Sequence, residues 1–258
     1  MNKPNDRPGL EVRRCAFFFD VDGTLAEIQP RPELVFIPPR SLVALEHLHV
    51  SEIPVAVISG RPLSQLDDLL SPLCLPAAGV HGAERRTSEG EMQSLALDRE
   101  LFGTIQQELA QACAQHPGLS LENKTVAFAL HFRLAPDLEE TARTLAEGFV
   151  ERYGDVLTLQ PGKCVFKLKP RGASKGEVIR TFMQEAPFKG RLPVFVGDDL
   201  TDEAGFKVVN ELGGLTIKVG TGPTEATQRL DSVEAVGAWL ESLLSALSEQ
   251  PENPIKLD

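Results

Sequence analysis

Short apolar-rich runs separated by amphipathic stretches set the rhythm of this chain. The runs Cys15 to Phe19 (CAFFF), Val55 to Ile58 (VAVI), Leu75 to Ala78, Leu192 to Val196 (LPVFV) and Leu215 to Val219 (LTIKV) predict strands. The first of them has no polar interruption, which suits a strand buried on both faces of a parallel sheet. Helical spacing between the runs predicts helices over about 40–48, 62–70, 175–185, 202–212 and 232–248, with a Pro-rich loop from Pro30 to Pro39. The middle of the chain has another texture. Helices are predicted over 98–115 and 137–153, and strands over 125–132, 156–160 and 164–169, before Pro161, Gly162, Pro170 and Gly172 mark the return. This order predicts an α/β core built from residues 12–84 and 171–249, an α+β insert over 85–170, and flexible termini at 1–11 and 250–258.

Polar residues just beyond strand ends are where doubly wound sheets put their chemistry. The first run ends on Asp20, Val21, Asp22, Gly23 and Thr24, and residues two apart in an extended segment point the same way. Asp20 and Asp22 can therefore flank one reacting phosphorus atom, one as nucleophile and the other as acid/base, and the spacing alone leaves their order open. The second run leads to Ser59, a predicted helix opens on Lys175, and the run ending at Val196 leads into Gly197, Asp198, Asp199, Leu200, Thr201 and Asp202. Hard carboxylate oxygens in such a cluster suit Mg²⁺. The letters do not divide Asp198, Asp199 and Asp202 between metal ligation and the capping of the helix that follows.

The 258 residues, 42% of them hydrophobic, suffice for a substantial core in one large or two smaller domains. A formal charge of −11 argues against nonspecific nucleic-acid or anionic-membrane partners. One basic stretch stands apart: Lys163, Lys167, Lys169, Arg171, Lys175 and Arg180 face the single acid Glu177, which suits an anionic small molecule. No apolar stretch reaches the roughly 20 residues of a membrane span, and the N-terminal segment lacks the apolar part of a secretory signal, so a cytoplasmic location is expected. Cys15, Cys74, Cys113 and Cys164 are widely separated and form no CxxC pair, so reduced, mostly buried thiols are expected rather than a zinc site or a disulfide framework.

In their order, DVDGT, Ser59 in VAVISGR, Lys175 in RGASKGEVI and the acidic run VFVGDDLTD resemble the four motifs of the haloacid dehalogenase superfamily. That resemblance implies a Rossmannoid core with a mostly parallel sheet and an inserted α/β cap of the C2 type. It also implies roles: Asp20 as nucleophile, Asp22 as general acid/base, Ser59 as a donor to a phosphoryl oxygen and Lys175 as the balancing charge. Its Mg²⁺ ligands are Asp20, the backbone carbonyl of Asp22 and Asp198, with Asp199 and Asp202 as nearby alternatives.

A closer resemblance runs from Phe17 to about Leu240. The segments FFFDVDGTLAEI, ISGRP, GVHGAE, LENK, ALHFR, GKCVFKLKPRGASKG and FVGDDLTDEAGF are similar, in order, to the trehalose-phosphatase family. The implied substrate is trehalose 6-phosphate, contacted by Arg61, His81, Gly82 and Glu84 from the core and by Glu122, Lys124, His131 and Arg133 from the cap. Carboxylates and basic groups suit sugar hydroxyls, which both donate and accept hydrogen bonds. One position departs from the pattern: Lys167 stands where the family carries glutamate in a run like VVEIKP, and a lysine only donates and favours an anion. The competing readings are a phosphatase for another sugar phosphate, such as sucrose phosphate, mannosylglycerate phosphate or glucosylglycerol phosphate, and a noncatalytic phosphoacceptor receiver. Asp22 and the long insert disfavour the receiver. The expected partner is a small sugar phosphate, and a monomer is expected, although nothing in the letters fixes the oligomeric state.

Overall fold

A computed structural model describes residues 10–94, 99–124, 127–162 and 164–249. The predicted terminal segments outside those limits, Lys163, the expected helix start at Asp98 and the expected strand start at Thr125 lie outside the described residues, as does the side chain of Lys124. The chain divides into two compact units, one formed by the residues up to Met92 with those from Ser174 onward, the other by Gln93–Ala173.

In chain order the elements are β1 (Cys15–Phe19), α1 (Pro39–Val50), β2 (Val55–Ile58), α2 (Leu63–Leu70), β3 (Ala77–Gly79), β4 (Glu84–Arg86), β5 (Met92–Ser94), α3 (Arg99–Ala114), β6 (Ser120–Lys124), β7 (Ala127–His131), α4 (Glu139–Arg152), β8 (Leu157–Gly162), β9 (Val165–Pro170), α5 (Lys175–Phe182), β10 (Leu192–Gly197), α6 (Glu203–Glu211), β11 (Leu215–Val219), β12 (Gln228–Leu230) and α7 (Val233–Glu249). An eight-stranded sheet runs β12-β11-β10-β1-β2-β3-β4-β5. From β12 to β3 every neighbouring pair is parallel, and β4 then returns antiparallel to β3.

Helices cover both faces of this sheet, and β1 shows why its sequence is uniformly apolar. Phe17 and Phe19 point into one layer, with Leu45 and Leu48 of α1 and Trp239 and Leu240 of α7. Ala16 and Phe18 point into the other, with Ile179 and Phe182 of α5 and Phe206 of α6. Trp239 meets the Phe17 and Phe19 rings edge-on at 6.2 and 6.4 Å, while Phe18 stacks on Phe188 at 5.3 Å. Because side chains alternate, the residue after Phe19 continues the Phe18 side, toward α5. β1, dry on both faces, carries no charge within its length, and Asp20 stands just past its end.

The second unit is an antiparallel sheet, β6-β7-β9-β8. Its Phe128, Leu130, Phe166 and Leu168 form one core with Ile105 and Leu109 of α3 and Ala142, Ala146 and Phe149 of α4. The register brings Glu122, Ala129, Lys167 and Gln160 into one row across the sheet. That row alternates with the helix-covered one, so it belongs to the other face.

Apolar runs marked the inner strands well, but β4, β5, β6 and β12 carry too many polar letters to read as strands. In β4 the two arginines are buried with partners. Arg85 makes a bidentate pair with Glu185 at 2.6 and 2.8 Å and lies over the Phe182 ring, while Arg86 donates to the Leu75 carbonyl and to Asp67. The helix expected over 137–153 begins instead with a single 3₁₀ turn, Pro136–Leu138, before α4. The helix expected to reach residue 185 ends at Phe182, short of Pro187, which cannot continue a helix. All four cysteines are free, with Cys15 and Cys113 buried and Cys74 exposed. Among the described residues no helix is long and apolar enough to cross a membrane.

Candidate active site

The C-terminal ends of β1, β2, β3 and β10 and the first residue of α5 bring together the polar residues of the first unit. Lys175 is only 2% exposed, and its ammonium lies 2.7 Å from Asp20 Oδ1 and 2.6 Å from Asp202 Oδ1. Ser174 caps α5 by accepting the Glu177 amide, which fixes the turn that delivers Lys175. Gly176 lets α5 pass close to α6, since a Cβ there would stand 2.4 Å from the Ala204 carbonyl oxygen.

Three carboxylates, Asp20, Asp198 and Asp202, each offer an oxygen within 4.8 Å of the others. One lysine does not offset them. Burial raises Asp20 well above the ordinary carboxylate range, Lys175 opposes that, and Asp202 adds to it. Asp198 is pushed up to about 6, first by burial and then by the charges of Asp202 and Asp199. Burial disfavours the Lys175 ammonium, but Asp20 and Asp202 outweigh that and raise its pKa. Asp198 Oδ1 is buried without a hydrogen-bond partner. A divalent cation fits these observations, because it would supply both the missing positive charge and a partner for that oxygen.

The division between the acids of the 197–202 segment follows from their hydrogen bonds. Asp199 Oδ1 accepts from the Thr201 amide and hydroxyl, which makes it a local turn residue. Asp202 spends Oδ1 on Lys175 and Oδ2 on the amides of Asp198 and Asp199, both at 3.0 Å. Of the three, Asp198 has the carboxylate least engaged by the protein. Gly23, with φ +83°, passes directly against it: a Cβ on Gly23 would fall 2.1 Å from Asp198 Oδ2.

Asp22 is held differently. Arg61 donates to both of its oxygens, Nε to Oδ2 at 2.7 Å and Nη2 to Oδ1 at 2.6 Å, and this hydrogen bonding raises the guanidinium pKa further. Ser59, 1% exposed at the end of β2, accepts the Arg61 amide. Val80, His81 and Gly82 all have positive φ, a left-handed turn that lays the His81 ring against Gly60. Gly82 packs against Val178 of α5, and Glu84 accepts the Leu63 amide at the start of α2.

Of the residues expected in the second unit, Glu122 and His131 meet at 2.9 Å across β6 and β7. Lys167 lies on β9 opposite Ala129 and Gln160, Arg133 is exposed just after β7, and Lys124 closes β6. One residue of the first unit escaped the sequence reading: Lys218, in the middle of LTIKV, is 5% exposed and donates to the Asp198 carbonyl. A single lysine in a strand pattern gives no signal that separates this arrangement from a solvated edge.

A parallel sheet with covered faces, an aspartate pair after its central strand, a serine after the next, and a buried lysine and acidic segment beside them define a phosphatase core of the haloacid dehalogenase type. The family model for trehalose-phosphatase matches residues 18–234. The trehalose-6-phosphate phosphatase of Escherichia coli K12 is 50% identical over 255 residues, spanning 98% of this chain and 95% of that protein. A probable trehalose-phosphate phosphatase of Sinorhizobium fredii is 38% identical, covering 92% of this chain and 89% of its own. Among solved structures, a trehalose-6-phosphate phosphatase related protein superposes with a TM-score of 0.71 at 25% identity, over 91% of this chain and all of that one. The C-terminal domain of the Candida albicans trehalose-6-phosphate phosphatase has the same fold, with a TM-score of 0.75 at 22% identity over 91% and 93% of the two chains. This chain belongs to the trehalose-phosphatase family.

Proposed function

We propose that the protein hydrolyses trehalose 6-phosphate to trehalose and inorganic phosphate with Mg²⁺ as cofactor. The observation that carries the reaction type is the buried Lys175 ammonium bridging Asp20, just after β1, and Asp202, at the N-cap of α6. The substrate rests on the half-identical Escherichia coli relative, which matches over nearly its full length.

Asp20, Asp198 and the backbone carbonyl of Asp22 would hold the metal, because Asp202 has committed both oxygens within the protein and Asp199 serves its turn. When bound, Mg²⁺ offsets the negative charge of carboxylate and phosphate as they approach one another. Asp20 attacks phosphorus, forming an aspartyl-phosphate as the bond to the sugar oxygen breaks. Asp22 gives its proton to that leaving oxygen. It then takes a proton from the water that attacks the aspartyl-phosphate, so that phosphate leaves and Asp20 is restored. Arg61 takes one acceptor site on each oxygen of Asp22, which leaves a second lone pair on each for the proton that is given and taken. Ser59 donates to a phosphoryl oxygen, and Lys175 keeps Asp20 aimed while balancing the incoming charge. The family resemblance assigns sugar hydroxyls to Glu122, His131 and Lys167, which share the face of the second unit's sheet turned away from its helices, to Lys124 and Arg133 in the same unit, and to Arg61, His81, Gly82 and Glu84 in the first unit.

Asp20→Asn tests the chemistry. The variant should keep the wild-type circular dichroism spectrum and lose turnover by several orders of magnitude; wild-type-like turnover would remove Asp20 from the nucleophile role.

A further inference from the structure

β11 is buried along its whole length, yet it contains a lysine. Leu215, Ile217 and Val219 join the apolar layer of α1 and α7, so by alternation Thr216 and Lys218 face the opposite side, the side of Asp20 and Lys175. Parallel register sets Lys218 beside Gly197, the last residue of β10, and its ammonium reaches one residue further to donate to the backbone carbonyl of Asp198. Among the described residues it forms no carboxylate ion pair. Burying an ammonium is costly, and a neutral carbonyl is a poor return for it unless the position of that carbonyl matters.

The peptide groups on both sides of the Asp198 Cα are thereby fixed. Its amide is held by Asp202 Oδ2 at 3.0 Å, the amide of the next residue by the same oxygen at 3.0 Å, and its carbonyl by Lys218. With the backbone pinned at these points, the side chain is directed at the Gly23 turn, its Oδ1 has no hydrogen-bond partner, and one of its oxygens lies within 4.8 Å of an Asp20 oxygen. We propose that Lys218 is a positioning residue for the metal site, holding the Asp198 main chain so that the carboxylate is aimed before the cation arrives. This inference rests on the proposed Mg²⁺ site. Removing a group that orients a metal ligand lowers metal affinity by about 10–100-fold in comparable sites.

The test is calorimetric titration of Mg²⁺ alone into purified wild type, Lys218→Met and Lys218→Arg, alongside turnover at varied Mg²⁺. Lys218→Met should weaken Mg²⁺ binding about tenfold or more and raise the half-saturating Mg²⁺ to the same degree. At saturating Mg²⁺ its substrate KM should stay within about twofold of wild type. Lys218→Arg, which keeps a charged donor, should recover most of the affinity. Unchanged Mg²⁺ affinity in a folded Lys218→Met overturns the role of Lys218, whereas no Mg²⁺ binding by wild type overturns the metal reading itself. If Lys218→Met does not fold, the wild-type Lys218 ammonium ¹⁵N resonance decides. It should shift along the Mg²⁺ titration with the calorimetric Kd, and an unmoved resonance rejects the proposal.

Discussion

Arg61 holds Asp22 in a two-pronged grip, Nε on one carboxylate oxygen at 2.7 Å and Nη2 on the other at 2.6 Å. The guanidinium therefore orients Asp22, the proposed acid/base residue, in the free protein. Such planar, bidentate pairing is specific to arginine. Arg61→Lys should accordingly lower kcat by about 10-fold or more while raising KM less. A variant in which KM alone rises would make Arg61 a plain substrate contact.

Lys175 answers two buried carboxylates, Asp202 fully enclosed and Asp20 nearly so. Lys175→Met leaves Asp20 and Asp202 without their buried cation, a loss of about 3–5 kcal/mol by analogy with broken buried pairs. In metal-free buffer its Tm should fall by many degrees, and added Mg²⁺ should restore part of the loss while turnover stays abolished. A Tm equal to wild type without metal would mean that the cluster is solvated and not a charge-balanced core.

The shift of Asp198 to about 6 fixes the sign of a pH effect. Between its ordinary value of 3.8 and about 6, the metal-free native state retains a proton that the unfolded chain has released. This group's contribution to stability is therefore full below the lower value and lost as pH rises through the upper one. Metal must displace that proton to bind. The rise in Tm produced by Mg²⁺ should accordingly grow from about pH 5 to about pH 7, and a rise of equal size at both would contradict metal ligation by Asp198.

Letters alone revealed the parts of this molecule in which burial is continuous. CAFFF and VAVI read as inner strands and are inner strands, and the positions where they turn polar, Asp20 and Ser59, are where the sheet presents its candidate site. What stayed hidden was decided by partners far along the chain. Nothing in the letters Glu84, Arg85 and Arg86 announces a strand, because the partners that hold them, the Leu63 amide, Glu185 and Asp67, lie elsewhere in the chain. Asp198 and Asp199 are adjacent and chemically identical, and what distinguishes them is the company each keeps, Thr201 for Asp199 and the Gly23 turn for Asp198. Lys218 had no motif to announce it, because its partner is a backbone carbonyl, which has no letter of its own.

The central claim is the substrate, and Mg²⁺-dependent phosphate release from trehalose 6-phosphate, sucrose 6-phosphate, glucose 6-phosphate and mannosylglycerate phosphate tests it most directly, with Lys167→Glu run beside wild type. The account predicts that wild type has its highest kcat/KM with trehalose 6-phosphate and that Lys167→Glu raises that value further. A clear preference for another member of the panel would contradict the assignment, leaving the Asp20 chemistry in place and moving the error to the sheet face that carries Glu122, His131 and Lys167.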